Sequence, residues 1–399
     1  EKGDTEAAIT SFKQAVQIEP NFTKAHFNLG VSYTDGNDPE AAITSFESAL
    51  NIDPNYEYAR ASKMCQQAKM CDWSAIEPDR KYIPSLGTTT QRIQPFSFLA
   101  FEDSPKNNQK RAEVKANNDF KQKPFLPNSQ TIKKPKRLRI GYFSADFHNH
   151  ATMYLMAKVF EAHDPERFEL YAYSFGPDKT DEMRQRLVKA VDVFRDVQGK
   201  NDRAIAIIAQ QDKIDIAIDL KGYTKDAKTG VFAYRAAPLQ INYLGFPGTM
   251  GCDFIDYIIA DKITIPEQYG QYYNESIIRV PHSYQANDNT RIISNCNITR
   301  AQVGLPEHGF VFCCFNNNYK ISPAEFDIWM RLLKTVEGSV LWLYRANEYA
   351  QENLQLEAEK RGVPRDRLVF AEAIPHAEHL ARHRLADLFI DTFNYNAHT

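Results

Sequence analysis

The residues with the most evident chemistry lie in a few short polar stretches. "SADFHNHAT" crowds Asp146, His148, Asn149, His150 and Thr152 ahead of an amphipathic run. A helix start with exposed N–H groups and neighbouring imidazoles can hold a phosphate. Ordinary capping by Asn149 or Thr152, with the histidines on the surface, accounts for the same letters. "YLGFPGTMG" sets Gly245, Gly248 and Gly251 around a proline, a loop whose backbone could approach a ligand closely or merely turn tightly. "FNNNYKISP" brings three asparagines and Lys320 to a helix that Ser322 would cap, with Pro323 at its first position. A lysine there can neutralise charge building on a departing diphosphate, the plain alternative being an exposed side chain. "IPHAEHLARHR" and the closing "NAHT" add His379, Arg382, His398 and Thr399. The common denominator of these loops is a nucleotide diphosphate.

Something must bring the loops together, and strand–helix alternation from Leu138 onward provides it. Strands are expected over 138–143, 168–175, 214–220, 239–246, 256–261 and 276–281, with helices over 153–162, 181–190 and 202–211 between them. A second series runs through strands at 310–316, 340–345, 368–373 and 385–391, separated by helices from Pro323, near 348–361 and near 376–384. Such alternation implies parallel sheets covered on both faces, here two Rossmann-like units joined near 285–305. Ligands of open α/β sheets sit at the carboxyl ends of the strands, where every polar loop above falls.

The front of the chain differs in kind. "AAITSFKQAVQIEPN" (7–21) returns as "AAITSFESALNIDPN" (41–55), with ten of fifteen positions identical at an offset of 34 residues. That is the tetratricopeptide period. Leu29, Gly30 and Tyr33 mark one helix of the hairpin and Ala42, Phe46 and Ala49 the other, with Pro54 at the turn. The front copy matches only a second helix, so the array is expected to be cut at its N-terminal edge, and 61–73 to cap it. The expected organisation is repeats over 1–73, a basic helical or linker segment over 74–137, one Rossmann-like domain over 138–295 and another over 296–399. Within the second segment, 104–137 holds ten Lys or Arg against two acidic residues. It reads as solvated linker; a nucleic-acid or anionic-lipid patch is the alternative, without the aromatic interleaving that base stacking needs.

Composition narrows the function classes. With 43% hydrophobic and 25% charged residues and no long apolar run, the chain is expected to be cytoplasmic. A formal charge of −3 argues neither for nor against nucleic acid or acidic membranes, and neither is expected among its partners. Six cysteines without metal spacing suit reduced thiols, Cys313 and Cys314 as packing residues. No Asp-x-Asp or His-Glu-x-x-His occurs, so no metal is expected.

A tetratricopeptide array followed by "LRIGYFSADFHNHAT", "LGFPGTMG", "FNNNYKISP" and "RLADLFIDTFNYNAHT" resembles glycosyltransferase family 41, the O-linked N-acetylglucosamine transferase and SPINDLY-like proteins. "FNNNYK" and "SYQAND" (283–288) resemble its bacterial SPINDLY-like branch. The resemblance covers nearly the whole chain. It implies a GT-B fold of two Rossmann-like domains, the second incomplete here, and an inverting, metal-independent transfer to Ser or Thr of proteins gripped by the repeats. It also implies UDP-N-acetylglucosamine as donor substrate, with GDP-fucose and UDP-glucose as competitors, and no cofactor. By the same resemblance Lys320 stabilises the leaving diphosphate, and Asp146 or His150 assists proton movement. Thr152, Gly248, Thr249, Asn317, Ile374, His376, His379, Arg382, His398 and Thr399 would line the nucleotide sugar. Three departures stand out. Phe96, in "QPFSFL", occupies the place of a histidine proposed as base in animal members. His376 replaces a nucleotide-contacting lysine. The segment that follows the His-Thr pair in the family is absent, so these 399 residues by themselves are expected to bind nucleotide weakly or not at all and to be inactive. The reading from another class is a non-catalytic repeat scaffold.

Overall fold

The 34-residue period folds as its spacing predicts. In the computed structural model, which describes residues 2–125 and 135–397, helices span Lys2–Ile18, Thr23–Asp35, Pro39–Ile52 and Glu57–Lys69. Asp38 caps the third by accepting the Ala41 N–H at 3.0 Å, and Pro39 follows where a missing N–H costs nothing. Ala42, Phe46 and Ala49 are buried. A Cβ on Gly30 would stand 2.5 Å from the Phe46 ring, so the glycine is a packing requirement.

The chain divides into two compact units, one of Glu1–Leu86, Leu99–Asp103 and Ile292–Thr399, the other of Gly87–Phe98 and Ser104–Arg291. The second holds β1 (Leu138–Ser144), β2 (Phe168–Ser174), β3 (Val193–Asp196), β4 (Ile216–Asp219), β5 (Leu239–Asn242), β6 (Tyr257–Ala260) and β7 (Ser276–Arg279). All pair in parallel in the order β3-β2-β1-β4-β5-β6-β7, a doubly wound sheet whose direction reverses between β1 and β4. Helices Ala151–Ala162, Glu182–Ala190 and Asp202–Gln211 cover it, burying Met153, Met156, Phe160 and Leu187 against Ile140, Leu170 and Ile218. Strand β3 went unexpected: its four residues read V-F-R-D, half of them charged and exposed, at a sheet edge.

The basic stretch 104–137 corrects the expectation of solvated linker as far as it is described. Ser104 caps a helix over Pro105–Asp119. Arg111 is fully buried, its guanidinium 5.1 Å from the Phe98 ring, and Ala112 and Ala116 are buried with it. Two alanines four apart are a faint apolar signal, easily outweighed by the lysines around them. Residues 126–134 lie outside the described ones.

In the other unit, β8 (Val311–Cys314), β9 (Val340–Tyr344), β10 (Leu368–Ala371) and β11 (Leu388–Phe389) pair in parallel in the order β10-β9-β8-β11. Helices Pro323–Thr335, Glu348–Lys360 and His376–Arg382 connect them. Cys313 and Cys314 are buried in β8, and all six cysteines are free thiols. Strand β11 keeps two of the seven residues expected over 385–391, a 3-10 turn at His383–Leu385 taking the start. The repeats are fastened to this sheet. Trp73 Nε1 donates to Ile321 O at 3.2 Å and its ring meets Phe326 edge-on at 5.1 Å. The amides of Asn318, Asn347 and Asn353 donate to the last carbonyls of the Glu57–Lys69 helix and its cap, Lys69 O and Met70 O. Among the described residues no helix is long and apolar enough to cross a membrane.

Candidate functional site

Each unit carries its polar residues at the carboxyl ends of its central strands. In the seven-stranded unit the chain leaves β1 at Ser144, whose Oγ accepts the Asp146 N–H at 2.9 Å and turns the next residues back. Asp146 is 8% exposed. Its Oδ2 takes the Lys221 Nζ at 2.7 Å, and Thr152 Oγ1 donates to it at 3.4 Å. Lys221 is equally buried and leaves the end of the neighbouring strand β4.

The helix at Ala151–Ala162 is capped by His150, correcting the expectation of Asn149 or Thr152. The Thr152 N–H donates to His150 Nδ1 at 3.2 Å. Asn149 instead serves the next helix, accepting the Met183 N–H at 3.2 Å. Because Nδ1 receives a backbone N–H, the neutral ring carries its proton on Nε2. Burial holds the imidazole below its ordinary range; Asp146 opposes, while Lys221, His148 and Lys179 assist. His150 is therefore a neutral donor at pH 7, with its side chain 42% exposed. That arrangement removes it as a proton acceptor at its outward nitrogen.

The loop after β5 is built for shape. Thr249 is buried, donating to Glu275 Oε2 at 2.7 Å and accepting the Gly251 N–H at 3.1 Å. A Cβ on Gly248 would press to 2.7 Å from the Phe246 ring. These two residues hold the loop through internal contacts. The Phe96 ring lies 6.3 Å from Phe246 in the same unit, so an aromatic stands at this loop where the family resemblance would set a base.

In the four-stranded unit the chain leaves β8 through Asn316, whose amide donates to Asp391 Oδ1 and Thr392 Oγ1 at 2.8 Å each. A 3-10 turn over Asn318–Lys320 follows. It leaves Asn317 exposed and Lys320 8% exposed. Lys320 Nζ donates to Asn396 O at 3.1 Å and lies 3.8 Å from the Tyr395 ring centre. Desolvation lowers the ammonium to about 8, with Asp391 and Cys314 pulling the other way. After β10, Ile374 and His376 are half-buried at the start of the next helix. His379 sits 5.4 Å from the Phe315 ring and 4.8 Å from His383. Burial first, then Arg382, His383 and His376, hold it down to about 4, so the ring is neutral at pH 7. Arg382 is 2% exposed, its guanidinium 4.7 Å from Phe315 and donating to Glu372 O at 2.6 Å. It props the loop from inside. His398 and Thr399 lie outside the described residues.

Sequence reasoning missed Lys221. Its signal was a lysine directly after the buried run "IDIAIDL", at the carboxyl end of a central strand. Among the described residues no group of three or more His, Cys, Asp or Glu side chains could hold a metal ion.

Comparison with known proteins gives a consistent picture. The family described as Glycosyl transferase family 41 matches residues 112–298 and 292–399, and tetratricopeptide repeats match 1–35 and 23–56. An Arabidopsis thaliana protein named "Probable UDP-N-acetylglucosamine–peptide N-acetylglucosaminyltransferase SEC" is 40% identical over 269 residues, covering 66% of this chain and 28% of that protein. A Caenorhabditis elegans protein named "UDP-N-acetylglucosamine–peptide N-acetylglucosaminyltransferase" is 27% identical over 382 residues, covering 67% of this chain and 33% of its own length. This chain thus spans about a third or less of these relatives. A solved structure of a lysine-to-methionine mutant of Thermobaculum terrenum O-GlcNAc transferase shares the fold, with TM-score 0.76 and 24% identity over 99% of this chain and 76% of that one.

Proposed function

The chain belongs to glycosyltransferase family 41, and from that premise we propose that it transfers N-acetylglucosamine from UDP-N-acetylglucosamine to Ser or Thr hydroxyls of proteins, with inversion and without a metal. Lys320 carries the reading. In the reaction the hydroxyl oxygen attacks the anomeric carbon, the bond from that carbon to the diphosphate breaks, and UDP departs with the electron pair. Negative charge grows on the diphosphate as it leaves. A desolvated ammonium stabilises that growing charge more than the ground state, which lowers the barrier as well as aiding binding. The Lys320 ammonium, held down to about 8 by burial, is short of counter-charge, and a diphosphate supplies it.

The acceptor proton goes to Asp146 or to the donor's own phosphate, since the outward nitrogen of His150 already bears one. The family resemblance would give Asn317, Ile374, His376 and His379 to the nucleotide, and Asp146, His150 and Thr152 to the sugar and pyrophosphate. Arg382, Gly248 and Thr249 also shape their loops through internal contacts. The donor follows the names that the curated relatives bear. The repeats bind the protein acceptor, and six free thiols suit a reducing cytoplasm.

The test is to incubate the full-length protein with UDP-N-acetylglucosamine, GDP-fucose or UDP-glucose and an acceptor lysate, and to read the transferred mass. An added N-acetylhexosamine supports the proposal; another sugar reassigns the donor. Transfer from none of the three overturns the enzyme reading in favour of a repeat scaffold, the alternative that Phe96 beside Phe246 favours.

A further inference from the structure

Lys221 and Asp146 form an ion pair at 2.7 Å with side chains only 6% and 12% exposed. Burying two charges costs more than a surface pair returns, so such a pair argues for a task other than stability. The geometry around it points to that task. Asp146 Oδ2 also lies 3.6 Å from His150 Nδ1. A carboxylate at that distance would draw a second proton onto the ring and turn Nδ1 from acceptor into donor. The Thr152 N–H, which needs Nδ1 as acceptor at 3.2 Å, would then lose its partner. Lys221 Nζ and Thr152 Oγ1 both donate to Asp146 Oδ2, at 2.7 and 3.4 Å. The threonine's single hydroxyl proton is thus spent on the carboxylate, and Nδ1, 3.2 Å from Oγ1, keeps the Thr152 N–H as its donor.

We propose that Lys221 is a positioning residue: by engaging Asp146 it withholds that carboxylate from His150 and fixes the imidazole as a neutral ring with its proton on Nε2, facing outward to donate to an anionic ligand. A neutral donor serves a diphosphate through a hydrogen bond without adding a cation that would hold the product. The other charges near the ring are His148 and Lys179, which act in the same sense as Lys221. Asp181, at the start of the adjacent helix, is taken by the N–H groups of Asn149 and Arg184. What His150 faces rests on the glycosyl-transfer reading; the ionic arrangement stands without it.

Nitrogen-15 NMR of the histidine-labelled full chain tests this, with the His150 signal assigned by its loss in His150→Gln. The unaltered protein should show Nδ1 unprotonated at pH 7 and a midpoint below 6.5. In Lys221→Met the midpoint should rise above that value and Nδ1 should become protonated. Lys221→Arg should restore the original titration. Asp146→Asn combined with Lys221→Met should return the ring to neutrality. Where the methionine variant does not fold, Lys221→Gln, uncharged but still a hydrogen-bond donor, takes its place. An unchanged His150 titration in a folded Lys221→Met or Lys221→Gln protein overturns the proposal, as does a protonated Nδ1 in the unaltered chain at pH 7. Absence of sugar transfer with the expected spectra would overturn the transferase reading alone.

Discussion

Two buried titratable groups make the sharpest residue-scale expectations. Lys320 acts only as an ammonium, and burial lowers it to about 8, so kcat/KM for transfer should fall as pH rises through about 8. Replacing Lys320→Met should cut turnover by about 10²–10³-fold, with a smaller change in nucleotide affinity, since the charge it meets is greatest in the transition state. Asp219 is the second. Burial raises its carboxyl to about 6 against the N–H groups of Lys221 and Gly222, and its Oδ2 has no hydrogen-bond partner. The folded state therefore favours the protonated form. The resulting stability is present below 3.8 and is lost as pH climbs to about 6. Asp219→Asn keeps the acceptor for both N–H groups and removes the buried charge. Thermal unfolding should show it more stable at pH 7, by on the order of 2–3 kcal/mol at most, with the gain vanishing toward about pH 4. An unaltered or lower midpoint at pH 7 would mean that Asp219 is not held as an unfavourable charge.

At the scale of elements, the joint between repeats and sheet is made where Lys320 is held. Asn318 and Lys320 share one 3-10 turn, and Asn318 bonds to the end of the Glu57–Lys69 helix. Trp73 fills the same joint against Phe326. Trp73→Ala should cost about 3–5 kcal/mol of stability, read as a lower unfolding temperature, and should lower turnover along with it because the lysine's turn loses its anchor. Within the repeats, Gly30→Ala sets two effects against each other. Helix propensity favours alanine by about 1 kcal/mol. The Cβ would meet Phe46 at 2.5 Å, and overpacking of that kind costs about 1–3 kcal/mol. Packing should win, and the variant should melt at a lower temperature than the parent.

For the whole molecule, one compact unit unites residues that stand at opposite ends of the chain: Glu1–Leu86 with Ile292–Thr399. A protein lacking residues 1–72 should therefore lose protease resistance across 292–397 while 104–291 remains protected, as limited proteolysis with mass mapping would reveal. Equal protection of both segments would show that the repeats are only an appendage. The repeat hairpin, both sheets and the polar strand ends were legible because each is a local signal. A period of 34, runs of β-branched residues and caps such as Asp38 depend on neighbours a few residues away. Glycosyltransferase family 41 membership was legible for the same reason, its motifs being contiguous. What Lys221, Arg382 and Thr249 do was not legible, because their partners lie 75, 10 and 26 residues away, or face inward where letters suggest a ligand. The tautomer of His150 was decided in the same way. Its Nδ1 is occupied by a backbone N–H two residues on, yet whether that bond survives depends on a carboxylate and an ammonium delivered by two adjacent parallel strands. Sequence spacing determines which residues reach a strand end; only the packed sheet sets their charges against one another in a medium that cannot screen them.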